Sequence, residues 1–257
     1  MNDSFSRVKL LLGNTSFNEI ISSRIIIFGL GGVGSWCAES LVRSGVKHIT
    51  LVDCDRVEIS NINRQLLATS ETIGQVKVDA MKNRLLEINP ETEITSLRCY
   101  YTAETAQQFD LSQYDYVIDA IDSLKDKALL ILEATKSNTT LFSSMGAALK
   151  LDPLKISVAE FWKVQGCPLA AALRHKFKRE KKFPKKKFKC VFSPEIFKNL
   201  GEQPQEIDNN AGDFTNLDGF NVNANKAQIN GTLAHTTAIF GFMLAGLVIQ
   251  DIIKKPH

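Results

Sequence analysis

Apolar residues recur along this chain in two rhythms. The first is the short unbroken run, as in Ile25-Ile26-Ile27-Phe28, Ile49-Thr50-Leu51-Val52 and Tyr116-Val117-Ile118. Runs of this kind predict strands covered on both faces, the habit of a parallel sheet. The second is a spacing of three and four, clearest at Val78, Met81, Leu85 and Ile88, with Pro90 just beyond. It predicts a helix over 77–88. Together the rhythms place strands at 24–29, 48–53, 93–99, 114–119 and 140–143, and helices at 35–44, 77–88 and 125–137. Strands and helices alternating at this interval predict an α/β fold, Rossmann-like and doubly wound, with a mainly parallel sheet.

After Met145-Gly146 the pattern changes. Strands are expected at 156–161 and 190–192 and a helix at 169–178; 198–231, rich in Asn, Asp, Gly and Gln, reads as a long loop. An apolar helix is expected at 232–253. Its longest clean stretch, Ala238 to Ile249, has 12 residues, short of the ~20 that span a bilayer. A core or dimer-interface helix is therefore expected, and no integral membrane insertion. Residues 1–22 read as an N-terminal arm with a short helix, 23–150 as a nucleotide-binding core and 151–257 as a C-terminal strand and helix extension, all in one domain of 1–257.

Composition adds constraints. With 44% hydrophobic and 23% charged residues, the 257-residue chain is ordinary for a globular protein. Five scattered cysteines and no CxxC pair argue against disulfides and a cysteine zinc site, and fit reduced thiols in a cytoplasm. Residues 1–20 hold no apolar signal-peptide core. The net charge of +3 is unevenly spread. Ten basic residues stand between 174 and 189, against Glu180 alone: Arg174, Lys176, Lys178, Arg179, Lys181, Lys182, Lys185, Lys186, Lys187 and Lys189. Such a run suits an RNA backbone, and the interleaved Phe177, Phe183 and Phe188 are candidates to stack on unpaired bases. The plainer alternative has them anchor a loop whose lysines are only solvated.

The chemistry concentrates between Ile25 and Gln65. After the first strand comes Gly29-Leu30-Gly31-Gly32-Val33-Gly34. A glycine turn between strand and helix lets backbone N–H groups approach a phosphate. Asp53 ends the second strand, placed to accept hydrogen bonds from a ribose. To this point a nicotinamide-dependent oxidoreductase explains the pattern equally well. Arg64 and Lys77 break the tie, because a triphosphate needs cations there and a dinucleotide does not. Asn61 and Gln65 can donate beside them. Asp119 and Asp122 arrive at the carboxyl end of the fourth strand, and Asp122 is the better candidate to hold Mg2+. Asp119 is read alternatively as a backbone cap, Asp55 as a turn-shaper, Asn61 as a loop cap and Lys77 as a solvated helix start.

These residues, with Ser60 to Gln65 (SNINRQ), resemble the ThiF/MoeB/HesA superfamily of adenylating enzymes related to ubiquitin activators. The resemblance implies ATP at the glycine turn, with Asp53 on the ribose and Asn61, Arg64 and Lys77 on the phosphates. It also implies Asp122 beside Mg2+, and Arg7 of Phe5-Ser6-Arg7 reaching into a partner's site in a homodimer. Downstream, Ser143 to Ala148, Leu151-Asp152-Pro153, Pro168-Leu169-Ala170 through Arg174 and Val191 to Glu195 are similar to the TcdA branch. Its members are tRNA threonylcarbamoyladenosine dehydratases: they activate the threonine carboxylate of a modified adenosine, and a ring closes with loss of water.

The resemblance leaves an alternative, an adenylyltransferase for a ubiquitin-like sulfur carrier. That branch commonly carries paired CxxC motifs, which this chain lacks. A nucleotide-binding RNA adaptor without turnover is a third reading, and a sulfurtransferase-type protein is a candidate partner. Intramolecular cyclisation needs no nucleophilic cysteine; of the five, Cys190 beside the basic run has the best case for reactivity. His175 and His235 are candidate proton acceptors by chemistry alone. One departure from the branch is Cys167-Pro168, where Asp-Pro is usual.

Overall fold

A computed structural model describes residues 3–202 and 230–254. The long loop expected at 198–231 falls mostly outside them. Five strands form at the five expected places: β1 (Arg24–Phe28), β2 (His48–Val52), β3 (Glu93–Leu97), β4 (Tyr116–Asp119) and β5 (Thr140–Ser144). Two more follow, β6 (Ser157–Glu160) and β7 (Lys189–Phe192). All seven join one sheet in the order β3-β2-β1-β4-β5-β7-β6. Every pairing is parallel except β6 with β7.

Strand periodicity divides the core in two. Ile25 and Ile27 of β1 face one cluster, with α2 (Gly34–Arg43), α3 (Lys77–Ile88) and α6 (Ala234–Lys254). Ile26 and Phe28 face the other, with α4 (Leu124–Ala134) and α5 (Pro168–Glu180). Consecutive strand residues point to opposite faces, so both must be apolar when helices cover both. Glu39 on α2 ties that helix to α3, bonded to Arg43 at 2.8 Å and to Arg84 at 3.0 Å.

One helix differs from expectation. The arm's helix α1 is longer than a short helix, Ser6–Ser22, and it breaks at Gly13, whose φ of 76° lies in the left-handed region. α6 forms where expected and covers 21 residues, long and apolar enough to cross a membrane by length and composition. Yet Phe240, Leu244, Val248 and Ile252 are buried in the core. A Cβ on Gly241 would lie 2.5 Å from the Val33 carbonyl and 2.8 Å from Trp36 Cβ. Glycine there lets α6 cross α2 at close range.

Candidate nucleotide site

The carboxyl ends of β1, β2, β4 and β5 share one edge of the sheet, and the sequence-predicted residues gather there. At Gly29, φ is +90° and an added Cβ would sit 2.7 Å from the Ala120 carbonyl oxygen. The turn therefore packs on β4 only as glycine. A Cβ on Gly34 would lie 1.8 Å from the Gly29 carbonyl, whereas Gly31 opens on empty space. No side chain caps the N-terminus of α2. Its first-turn N–H groups and the positive end of its dipole face the turn, an arrangement suited to an anion.

Arg64 reaches this turn from the 59–65 segment: its Cγ lies 3.2 Å from a Cβ built on Gly32. The guanidinium is steadied by the Ser60 carbonyl at 2.8 Å and Asn63 Oδ1 at 2.9 Å. Trp36 Nε1 donates to the Arg64 carbonyl at 3.0 Å, locking the segment to α2. Gln65 is buried, and its side-chain Oε1 has no partner among the described residues. Asn61 is buried too, but its Oδ1 accepts from Glu58 N at 3.2 Å, so the loop-cap reading describes it here. Its amide group still carries an N–H to donate.

Asp53 accepts Leu30 N at 2.6 Å and Asp55 N at 2.9 Å. Burial pushes its carboxyl up, and the charge of nearby Lys77 opposes that. Each oxygen keeps a further lone pair for a hydroxyl. Lys77 is buried, and its Nζ lies 2.9 Å from Asp55 Oδ2. It is thus no solvated helix start. Tyr100 donates to Asp55 Oδ1 at 2.8 Å. Asp55 therefore holds a cation in place and does more than shape the turn.

Asp119 is closed to ligands. It is wholly buried, 2.9 Å from Lys127 Nζ, and accepts Ser143 Oγ at 2.6 Å and Ile121 N at 3.2 Å. Lys127 also donates to the Ile121 carbonyl at 2.9 Å. This network fixes the 120–123 loop, which presents exposed Asp122 at the same edge. Among the described residues no three His, Cys, Asp or Glu side chains cluster for a metal. A cation beside Asp122 would take its other ligands from phosphate and water, which suits Mg2+.

Sequence reasoning missed Tyr100, Lys127, Ser143 and Lys150. Lys127 left a legible signal, since it shares the apolar stripe of Ile131 and Ala134 at spacings of four and three. Lys150 follows Leu149, whose φ of 57° is rare for a branched residue. Burial lowers the Lys150 ammonium, and its Nζ donates to the Glu195 carbonyl. His235 reaches the Leu151 carbonyl at 3.0 Å, while His175 is exposed on α5.

Several expectations need correction. Cys190 is fully buried, and burial pushes its thiol well above the ordinary range, so it is not reactive. Arg174 does not project as a free cation: it donates to the Phe161 and Val164 carbonyls and lies over the Phe161 ring. Phe177 and Phe188 are core residues; only Phe183 of the three is exposed. Lys176 and Arg179 pair with Glu180, and Lys186 holds the Ser137 carbonyl. Lys178, Lys181, Lys182, Lys185, Lys187 and Lys189 are exposed. The loop entering β7 also meets the end of α4, at the amino edge of the sheet: Lys185 N donates to Thr135 Oγ1, at 3.1 Å. Arg7 is exposed on α1.

The ThiF family profile matches residues 5–257. The chain belongs to the ThiF family. A ThiF-family relative, the tRNA threonylcarbamoyladenosine dehydratase of Bacillus subtilis (strain 168), is 38% identical over 99% of this chain and 96% of its own length. The enzyme of the same name from Haemophilus influenzae (strain KW20 / Rd) is 35% identical over 98% and 94%. The crystal structure of Escherichia coli TcdA in complex with ATP has a TM-score of 0.83 at 31% identity, covering 98% of this chain and 95% of that one.

Proposed function

We propose that this chain dehydrates threonylcarbamoyladenosine in tRNA, using ATP to adenylate the threonine carboxylate. One arrangement supports the adenylation step: Arg64 lies over the glycine turn before an uncapped helix, and Lys77, buried against Asp55, stands near the Asp53 that accepts the turn's Leu30 N–H. Full-length similarity to dehydratases carries the substrate.

The ATP is a substrate, with its ribose on Asp53, its phosphates over Gly29, Gly31, Gly32 and Gly34, and Asn61 and Gln65 beside them. A carboxylate oxygen of the threonyl group attacks the α-phosphorus, and pyrophosphate leaves. Arg64 and Lys77 stabilise the charge that develops on the phosphate oxygens. Mg2+, when bound beside Asp122, neutralises further phosphate charge. The substrate's own nucleophile then closes on the acyl carbon and expels AMP, so the nucleoside has lost one water. No cysteine takes part.

Exposed Leu10 and Leu11, at 88% and 82%, form an apolar patch on α1 beside Arg7. It fits a second copy of the chain, and in such a homodimer Arg7 enters the partner's site. The basic segment meets tRNA phosphates, and a cytoplasmic location follows from the substrate.

The test is mass analysis of tRNA nucleosides after incubation with the protein and ATP. A nucleoside lighter by one water is expected. An unchanged spectrum from tRNA carrying threonylcarbamoyladenosine overturns the reading. Pyrophosphate exchange driven by the C-terminus of a sulfur carrier, and not by tRNA, selects the adenylyltransferase instead.

A further inference from the structure

At the amino edge of the sheet four aromatic rings form a continuous ladder. Phe188 stacks on Phe161 with centroids 5.0 Å apart and planes at 18°. Phe161 meets Trp162 edge-on at 5.2 Å, and Trp162 leans on Phe183 at 6.3 Å and 41°. The inner pair is buried, while Trp162 and Phe183 are 40% and 47% exposed. Exposed Lys163, Lys181 and Lys182 flank these two in sequence. Two large aromatics at the surface, braced from the core and set among cations, are the makings of a stacking platform for a base attached to phosphates.

The platform is remote from the nucleotide site. β6, which leads into Trp162, is four strands away from β1, a lateral separation of about 19 Å at ordinary strand spacing. Phe161 N donates to the Phe188 carbonyl, which puts the ladder at the start of β7, whereas Gly29 follows the end of β1. One flat nucleotide cannot reach both places on the same chain. We propose that Trp162 and Phe183 stack an unpaired tRNA base other than the adenosine being dehydrated, with the neighbouring lysines on its phosphates. This rests on the dehydratase reading and extends substrate recognition to a second contact.

The probe is an unmodified tRNA transcript, which has the bases but no threonylcarbamoyl group. Trp162 fluorescence is expected to be quenched on binding, and the quench lost in Trp162→Phe. Phe183→Ala is expected to weaken transcript binding, and to raise the KM for modified tRNA, about tenfold. ATP affinity and kcat stay unchanged, and Phe183→Tyr restores binding. Unaltered KM and binding in Phe183→Ala and Trp162→Ala overturn the proposal, as does quenching by anionic vesicles but not by RNA. Wild-type protein that dehydrates tRNA while both variants match it sinks the platform alone. Protein that never removes water, yet is quenched by the transcript, sinks the dehydratase reading alone.

Discussion

Arg64 and Lys77 differ in how they are held, and that sets their expected failures. Arg64 rests on two oxygen acceptors at the surface of the segment, while Lys77 is buried against Asp55. On the proposed mechanism, replacing either with Ala removes charge stabilisation needed most in the transition state. Pyrophosphate release should slow by about a hundredfold or more, measured with saturating ATP. Rates within threefold of wild type would remove both from the chemistry. Arg64→Lys should recover little, because one ammonium cannot fork across two phosphate oxygens. Lys127 tests a different role. In Lys127→Met, Asp119 keeps a buried charge without its partner, a cost of about 3–5 kcal/mol. At this chain length that corresponds to a fall in Tm of roughly 10 °C. Adding Asp119→Asn should recover much of it, and a Tm unmoved by Lys127→Met would contradict the pairing.

At the scale of elements, α2 and α3 meet through one carboxylate. Burial alone would push Glu39 up, but its bonds to Arg84 and Arg43 together hold it below the usual carboxylate range. A carboxyl depressed on folding adds stability above its unfolded pKa, and loses it as pH falls through the folded value. Glu39→Gln should therefore cost about 1–2 kcal/mol at pH 7. The gap from wild type should close below about pH 4.5, as urea unfolding across pH would read; a gap constant with pH would refute the linkage. The glycine turn, Asp53, Arg64 and Lys77 were legible because their spacing follows directly from strand, turn and helix lengths. Asp55, Lys127 and Cys190 were less so. What Asp55 and Lys127 do depends on Lys77 and Asp119, 22 and 8 residues away, and Cys190 is inert because the packing around it buries the thiol; side-chain period says nothing of either.

For the whole molecule, the kink at Gly13 is the feature with the largest consequence. It lets the second half of α1 pack Phe17 and Ile20 into the fold while the first half carries Leu10 and Leu11 outward with Arg7. An arm that buried its own leucines would have no reason to bend. If the partner covers that patch, Leu10→Glu with Leu11→Glu should yield monomers by light scattering, and those monomers should bind ATP but not turn over. The sharper test uses two inactive variants. Arg7→Ala has a complete pocket but a defective arm; Lys77→Ala has a complete arm but a defective pocket. Mixed after partial unfolding and refolding, they form heterodimers in which one pocket has both its own Lys77 and the partner's Arg7. With random pairing about a quarter of wild-type activity should return. An arm that acts within its own chain would give none, because no single chain in the mixture is intact.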